Sequence, residues 1–277
     1  MALRFHDLRA NATADALGDA LHDDGTGWLV LGQRAASLQL PASWTSLWLP
    51  LRGELRLHSG DASWSLPTRH AQLWCGSAVR AQAAPQGRWL CLAASAPAWS
   101  QLTGLAVEDQ WLPWSGPLPL RLRRHGLKLL RDSGEHADEA VRAWLHHVGE
   151  FQSEFDELLA TCPGRTPLRR RQTLLRLLLV RHRLRCQLDR PFDLSQLASV
   201  AHYSPSHLAR LHREVFHEPL GDYAARLRNE RAWHLLRDTT LPVIDVTHAL
   251  GFESQSAFCR AFRQSFGLTA TQLRRMA

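Results

Sequence analysis

The chain carries two similar stretches, SPSHLARLHREVF at residues 204–216 and SQSAFCRAFRQSF at residues 254–266. Five of their residues recur at an interval of 50 positions: Ser204, Ser206, Arg210, Arg213 and Phe216 return as Ser254, Ser256, Arg260, Arg263 and Phe266. A short helical pattern comes before each stretch, at residues 194–200 and 243–250, and a tight connection follows that pattern. The order of helix, turn and helix therefore occurs twice and predicts two helix-turn-helix units.

Each repeated stretch is predicted to form a helix with one buried and one exposed face. Ser204 and Ser254 can cap the free amide groups of the first turn, and Pro205 suits the first helical position. The residues expected to face inward are Leu208, Leu211 and Val215 in the first helix, and Phe258, Ala261, Phe262 and Phe266 in the second. Because two residues span a rotation of about 200°, Arg210 and Arg260 should point away from Leu208 and Phe258.

The exposed face of these helices has the chemistry of a surface that reads DNA. Arginine can form two hydrogen bonds with guanine, glutamine can do the same with adenine, and small residues let a helix enter the major groove. The candidate DNA-binding residues are Ser206, Ala209, Arg210 and Arg213 in the first helix, and Gln255, Ser256, Ala257, Arg260 and Arg263 in the second. Arg213 and Arg263 are better placed to neutralise phosphate. The alternative is that the arginines are solvated surface residues, but repetition at a fixed interval favours DNA binding.

Charge is distributed unevenly along the chain. Residues 163–277 hold 19 basic and 9 acidic side chains, a formal charge of +10, whereas residues 1–162 hold 14 basic and 17 acidic ones, a formal charge of −3. A domain of such positive charge is typical of proteins that meet a polyanion, either nucleic acid or a membrane surface. Ten of the eleven tryptophans precede residue 163. The simplest cause of both contrasts is a pair of domains.

A long helix is predicted between the two units, over residues 223–236. Its inward face would carry Leu227, Ala232, Leu235 and Leu236. Such a helix would set the separation of the two units. If it is rigid, both repeated helices can enter successive major grooves on one face of the duplex, about 34 Å apart.

The first part of the chain has a different pattern. Short apolar runs punctuated by glycine and proline occupy residues 28–94 and predict an antiparallel barrel or sandwich, with a hairpin turn at Ser59, Gly60 and Asp61. The apolar positions from Val141 to Leu159 lie on one stripe and predict a helix of about 22 residues. That stripe could close the floor of the barrel or pair with a second subunit. Two prolines and a glycine within residues 163–167 indicate a linker.

The sequence offers no motif for catalysis, metal or cofactor binding. The five cysteines lie far apart without zinc spacing, which fits a reducing cytoplasm, and we expect each to be a small buried residue. No apolar run reaches the roughly 18 residues that cross a membrane. Trp48, Trp64 and Trp74 either line a ligand pocket in the barrel or fill it, and ordinary core packing is favoured. We therefore expect a cytoplasmic protein that is not an enzyme.

About the last 105 residues resemble the DNA-binding domain of the AraC/XylS family of bacterial transcription regulators. The resemblance rests on DLSQLA at 193–198, SPSHLAR at 204–210, RLRNERA at 226–232, LPVIDV at 241–246, GFESQSAFCRAFR at 251–263 and FGLT at 266–269. By resemblance, Ser206, Ala209, Arg210, Gln255, Ser256, Ala257 and Arg260 match positions that touch bases. The chain departs from the family pattern at His212, where the family has phenylalanine, at His217, where it has glycine, at Leu220 and Ala270, where it has proline, and at Thr247, where it has alanine. The first unit is thus the less typical one.

The resemblance implies an α+β protein with two domains. Residues 1–162 would form a cupin-like antiparallel β-barrel with flanking helices, for sensing or dimerisation. Residues 163–172 would be the linker and the start of a helix, and residues 173–277 an all-α domain with two helix-turn-helix units. The metal-binding pattern of cupins is missing, because His58 and His70 stand apart.

We expect a sequence-specific transcription regulator that responds to an effector and binds double-stranded DNA. A homodimer is expected, and a small-molecule effector and RNA polymerase are further candidate partners. Two alternatives stay open. One is a regulator with no small-molecule effector, and the other is a cupin-type enzyme with an appended helical domain.

Overall fold

The computed structural model describes residues 3–8, 26–106, 111–129 and 137–276. The chain divides into two compact units, residues 1–160 with 164–175 and residues 161–163 with 176–277. The first of these is the β-rich unit, which contains all the described strands, and the second is the helical unit. The α+β class and the split between a β-rich part and a helical part are therefore confirmed.

The strands of the β-rich unit form two sheets. They are β1 (Leu3–Leu8), β2 (Gly27–Gln33), β3 (Ser37–Leu40), β4 (Trp44–Arg52), β5 (Leu55–Ser59), β6 (Ala62–Leu66), β7 (His70–Trp74), β8 (Val79–Ala83), β9 (Arg88–Ser95) and β10 (Trp114–Pro117). The six-stranded sheet has the order β1-β2-β9-β4-β7-β10, and the four-stranded sheet has the order β3-β8-β5-β6. The predicted hairpin is present as β5 and β6. Ser59 pairs with Ala62, and Gly60 takes the left-handed conformation that the two-residue turn requires, with φ of 59°.

The described strands do not close into a barrel, one of the two arrangements that the sequence predicts, and the cupin-like character stays a prediction. Hydrogen bonding links them into two separate sheets, and β1 pairs with β2 in parallel register from Leu3↔Gly27 to Leu8↔Gly32. A parallel neighbour needs a connection of a dozen or more residues, and 18 residues separate the two strands along the chain. In β4 the register shifts between Pro50 and Arg52, where proline cannot donate a backbone hydrogen bond.

Helices cover one face of the six-stranded sheet. The helices of this unit are α1 (Ala96–Thr103), α2 (Leu120–Leu129), α3 (Ala137–Gly149), a 3-10 helix (Glu150–Phe155) and α4 (Asp156–Thr161). The core contains Leu47, Leu49, Leu73, Leu90 and Leu92 of the strands, Trp99 of α1, and Val141, Trp144, Leu145 and Val148 of α3. The part of the apolar stripe on α3 thus packs within this unit, and pairing of the stripe with a second subunit stays untested.

The predicted 22-residue helix is interrupted after Gly149. At that point the side chain of Gln152 accepts a hydrogen bond from the backbone N–H of Leu112 (2.7 Å) and donates one to its carbonyl (3.2 Å). Gly149 also lies against Trp111, whose ring is 3.1 Å from the position that a Cβ would take. Glycine is a poor helix former, and these contacts across the chain favour the tighter 3-10 segment.

The helical unit is built from α-helices. The helix α5 (Pro167–Cys186) belongs to the β-rich unit up to residue 175 and to the helical unit beyond it. It is followed by α6 (Leu194–Ala201), α7 (Pro205–Phe216), α8 (Leu220–Asp238), α9 (Val243–Ala249), α10 (Gln255–Phe266) and α11 (Ala270–Met276). The predicted order of two helix-turn-helix units, α6–α7 and α9–α10, joined by the long helix α8, is confirmed.

Candidate nucleic-acid interface

The two repeated helices begin in the same way. Ser204 accepts a hydrogen bond from the backbone N–H of His207 (3.3 Å), and Ser254 accepts one from the backbone N–H of Ala257 (3.2 Å). Pro205 occupies the first helical position of α7. Each serine therefore caps the free amide groups of its helix, as the sequence predicts.

The inward faces of α7 and α10 are also as predicted. Leu208, Leu211 and Val215 are buried in α7, and Phe258 and Phe262 are buried in α10, while Ala261 and Phe266 are half-buried. The aromatic ring of Trp233 on α8 lies 6.3 Å from that of Phe262 and 4.8 Å from that of Phe266, measured between centroids. The long helix α8 therefore supports the second repeated helix directly.

The predicted contact residues lie on the opposite faces. Ser206, Arg210 and Arg213 are exposed on α7, and Gln255, Ser256, Arg260 and Arg263 are exposed on α10, while Ala209 and Ala257 are half-buried. Small polar and cationic side chains thus share one outward face in each helix. The structure brings together the residues of each set, and their contact with DNA stays a prediction.

The cysteines divide between interior and surface. Cys75, Cys91 and Cys162 are buried, but Cys186 is only partly buried and Cys259 is exposed. The expectation of burial is therefore wrong for Cys259, because it lies four residues beyond Gln255 and shares the outward face of α10. Burial raises the pKa of the Cys75 thiol to about 12, so this thiol stays protonated and unreactive.

A buried histidine lies in the first helix-turn-helix unit, and the sequence did not predict its role. His212 is completely buried, and its Nδ1 donates a hydrogen bond to the backbone carbonyl of Glu218 (2.8 Å). Its ring lies 4.8 Å from that of Phe216 and 5.7 Å from that of Tyr223. Burial lowers its pKa to about 4. The residue is thus a neutral core histidine that fixes the end of α7.

An arginine on α8 ties the first unit to the long helix. Arg226 donates hydrogen bonds through Nε and Nη2 to the two carboxylate oxygens of Glu218, both at 3.0 Å, and through Nη1 to Glu230 at 2.9 Å. These hydrogen bonds lower the pKa of Glu218. The stretch RLRNERA thus contributes an ion-pair network that holds the turn after α7 to α8, a role visible only in three dimensions.

Two further arginines contact aromatic residues of the first helix-turn-helix unit, one by stacking and one by a hydrogen bond. The guanidinium carbon of Arg181 lies 4.0 Å from the ring centroids of both Phe216 and Tyr223. Arg185 donates a hydrogen bond through Nε to the hydroxyl of Tyr223 (2.8 Å). Part of the positive charge of this unit therefore stabilises its own core and is not simply a surface for phosphate.

Two more departures from the family pattern are accommodated locally. Thr247 is completely buried, and its hydroxyl donates a hydrogen bond to the carbonyl of Val243 (2.8 Å). His217 ends α7 in the left-handed conformation, with φ of 55°, and Gly267 ends α10 in the same way, with φ of 70°. The two repeated helices thus end in the same backbone conformation although the residues at this position differ.

The three tryptophans proposed as ligand contacts lie where the two sheets meet. Trp48 is completely buried and Trp74 is 3% exposed, while Trp64 is half-buried and donates a hydrogen bond through Nε1 to Gln72 (2.8 Å). The Nε1 of Trp48 donates to the hydroxyl of Ser46 (2.8 Å), and the rings of Trp64 and Trp74 lie 4.9 Å apart. These contacts are those of a packed core. Ligand binding by the three residues stays a prediction.

The described residues form neither a metal site nor a membrane-spanning helix. No group of three or more histidine, cysteine, aspartate or glutamate side chains is arranged to hold a metal ion within the ranges that the structure describes. Within the same ranges, no helix combines the length and the apolar character needed to cross a membrane.

Comparison with known proteins places the helical unit in a family. The model of a helix-turn-helix domain family matches residues 197–276. The chain is 37% identical to the regulatory protein SoxS of Escherichia coli strain K12 over 87 residues, which are 31% of this chain and 81% of SoxS. It is 34% identical to YkgA of the same strain over 91 residues, which are 33% of this chain and 38% of YkgA. The chain thus spans most of SoxS but less than half of YkgA.

Solved structures of similar domains are also known. One is the C-terminal domain of AraT, a response regulator from Geobacillus stearothermophilus, with 23% identity, a TM-score of 0.36, and coverage of 37% of this chain and 85% of that chain. Another is the DNA-binding domain of AdpA in complex with a target DNA, with 25% identity, a TM-score of 0.35, and coverage of 36% of this chain and 90% of that chain. On the identity to SoxS and the matched helix-turn-helix model, the chain belongs to the AraC/XylS family of DNA-binding transcription regulators.

Proposed function

We propose that this regulator reads a specific duplex DNA sequence with the outward faces of α7 and α10. The observation that carries the proposal is the equivalence of Arg210 and Arg260. Both are exposed, and both lie six residues beyond a serine that caps its helix. A pair of similar helices that present the same cation suits the major grooves of one duplex.

The outward residues would divide the work between bases and backbone. Arg260 can donate two hydrogen bonds to guanine, Gln255 can donate one to adenine and accept one from it, and Ala209 can touch only a thymine methyl group. Arg213 and Arg263 lie one turn closer to the helix end and would neutralise phosphate. Phosphate contacts supply affinity without sequence preference, whereas base contacts supply specificity.

Equilibrium binding of two variants tests this division. The substitution Arg260→Ala should cost about 1–3 kcal/mol on a duplex that the wild-type protein selects, and much less on a scrambled duplex of the same length. The contrasting variant, Arg263→Ala, should weaken binding to both duplexes alike and reduce the salt dependence of the affinity. An equal loss on both duplexes for Arg260→Ala would make it a phosphate contact.

For the β-rich unit, the packing of the tryptophans favours the form of the proposal without a small-molecule effector between the sheets. Trp48 is completely buried, and its ring lies 5.5 Å from that of Trp89, which is the packing of a filled core. Candidate metabolites should then leave the melting temperature and the DNA affinity of the protein unchanged. A metabolite that shifts both would support the effector-responsive form instead.

Further parts of the proposal concern partners and location. We propose that two copies of the chain bind neighbouring sites, that the bound protein contacts RNA polymerase, and that it acts in the cytoplasm. Sedimentation of the full chain with and without its selected duplex tests the first point. A protein that stays monomeric at every concentration, free and bound, would contradict it.

A further inference from the structure

Two side chains of the first repeated helix flank Arg210. Its Nη2 donates a hydrogen bond to Nδ1 of His207 (3.1 Å), and its Nη1 lies 3.8 Å from Oε1 of Glu214. One partner comes a helical turn before the arginine and the other a turn after it. The side chain of Arg210 is still 64% exposed. Its guanidinium is therefore accessible to DNA, but it already has partners within its own helix.

The equivalent arginine of the second helix has no such partners. Fifty residues on, Ala257 stands in place of His207 and Gln264 in place of Glu214. Alanine offers no acceptor, and glutamine carries no charge. Across the part of the chain that the structure describes, Arg260 forms no ion pair or side-chain hydrogen bond. The same cation is thus restrained in one unit and free in the other.

Glu214 shares the outward face of α7. It is the one acidic residue in the sequence of this helix, and α10 has none. Ser206, Arg210 and Glu214 follow one another at intervals of four residues, which places them on one stripe. Ala209, Arg210, Arg213 and Glu214 also line a common groove of about 650 Å³. The carboxylate therefore lies on the surface that would approach the phosphates of DNA.

We propose that Glu214 is a positioning residue that restrains Arg210 and so weakens the grip of the first repeated helix on DNA. This inference rests on the proposed function. To reach a guanine, Arg210 must leave a carboxylate that competes with the base for the same donors. The second helix has no such cost. Base reading is then dominated by α10, and the residue four positions beyond the arginine sets the difference.

The substitution Glu214→Gln copies Gln264 and tests the inference. The variant should bind the wild-type-selected duplex about three- to tenfold more tightly. It should also show a stronger base preference at the position that Arg210 reads, which a merely structural role would not change. Glu157→Gln is the matched control, because it removes one exposed negative charge from α4 of the β-rich unit. Its affinity should equal that of the wild-type protein.

The route through Arg210 is tested by combining substitutions. In an Arg210→Ala background, Glu214→Gln should change the affinity less than about twofold, since the restrained side chain is gone. An undiminished gain would mean that Glu214 acts on phosphate directly, which overturns the inference. The inference is also overturned if Glu214→Gln leaves the DNA affinity unchanged. If Arg260→Ala still reduces specificity in that case, the proposed function stands without the inference. A wild-type protein without any sequence preference would contradict the proposed function itself.

Discussion

His212 in α7 stands at the position that Phe262 holds in α10, 50 residues on, and both side chains are completely buried. The histidine makes one hydrogen bond, from Nδ1 to the carbonyl of Glu218. Its Nε2 is buried without a partner among the described residues. The first unit thus keeps a titratable group where the second has a hydrocarbon ring.

This burial predicts a loss of stability in mild acid. The pKa of His212 is lowered from 6.5 to about 4, so between these pH values the unfolded chain binds a proton that the folded chain does not. The stability of the first unit should therefore fall as the pH drops from 6.5 towards 4. His212→Phe removes this dependence. As the pH falls through this range, the unfolding free energy of the variant minus that of the wild type should rise by at most about 1.4 kcal/mol for each pH unit.

Hydrogen exchange of the α7 amides in the full chain measures this difference, once corrected for intrinsic exchange rates. The pKa of His182 is also lowered by burial, to about 3, but that residue is the same in both proteins and cancels. A difference that stays constant from pH 7 to pH 4.5 would contradict the assignment.

The helix ends offer a reciprocal test. His217 and Gly267 both adopt the left-handed conformation at the end of a repeated helix, where glycine avoids the clash of a side chain. His217→Gly should therefore stabilise the first unit by about 0.5–1 kcal/mol, and Gly267→His should destabilise the second by a similar amount. Hydrogen exchange reports each unit separately. Two changes of the same sign would be incompatible with this explanation.

Arg226 should matter through its forked geometry. Because it bonds both oxygens of Glu218 and also Glu230, Arg226→Ala should destabilise the first unit by about 1 kcal/mol, allowing for its partial exposure. Arg226→Lys keeps the charge but cannot form the two-pronged contact, so it should recover only part of the loss. Full recovery by lysine would show that charge alone suffices. Protection of the α7 and α8 amides from exchange is the readout.

The β-rich unit contains a position that tolerates no side chain. A Cβ on Gly32 would lie 2.0 Å from Cε2 of Trp89, so the indole must move if Gly32 becomes alanine. Gly32→Ala should destabilise the β-rich unit by about 1–3 kcal/mol. Tryptophan fluorescence follows this unfolding, since ten of the eleven tryptophans precede residue 163. The control is Gly221→Ala, where a Cβ would meet no atom within 4 Å, and no loss is expected there.

The helical unit could be predicted closely from sequence because its signals are local. Capping serines, an apolar face at helical spacing and a repeat of 50 residues define α7 and α10 to within a residue. The roles of His212, Glu214 and Arg226 could not be predicted in the same way. They depend on the turn after α7, on α8 and on a comparison of side-chain contacts between the two units.

The β-rich unit was less predictable because its pairings are distant in sequence. The hairpin of β5 and β6 follows from a two-residue turn, but the parallel pairing of β1 with β2 spans residues 9–26. Likewise, the apolar stripe from Val141 to Leu159 identifies a helical region, whereas its 3-10 segment depends on the bonds between Gln152 and Leu112. Alternation along the chain does not encode either contact.

Selection of duplexes from a random pool tests the central claim most directly, with wild-type protein, Arg210→Ala and Arg260→Ala compared side by side. The wild-type protein should enrich a motif of two elements whose centres lie about one helical turn apart. Arg260→Ala should erase the base preference of one element and Arg210→Ala that of the other. Enrichment of no motif, or the same uniform loss of affinity for both variants, would contradict the reading of DNA by these two arginines.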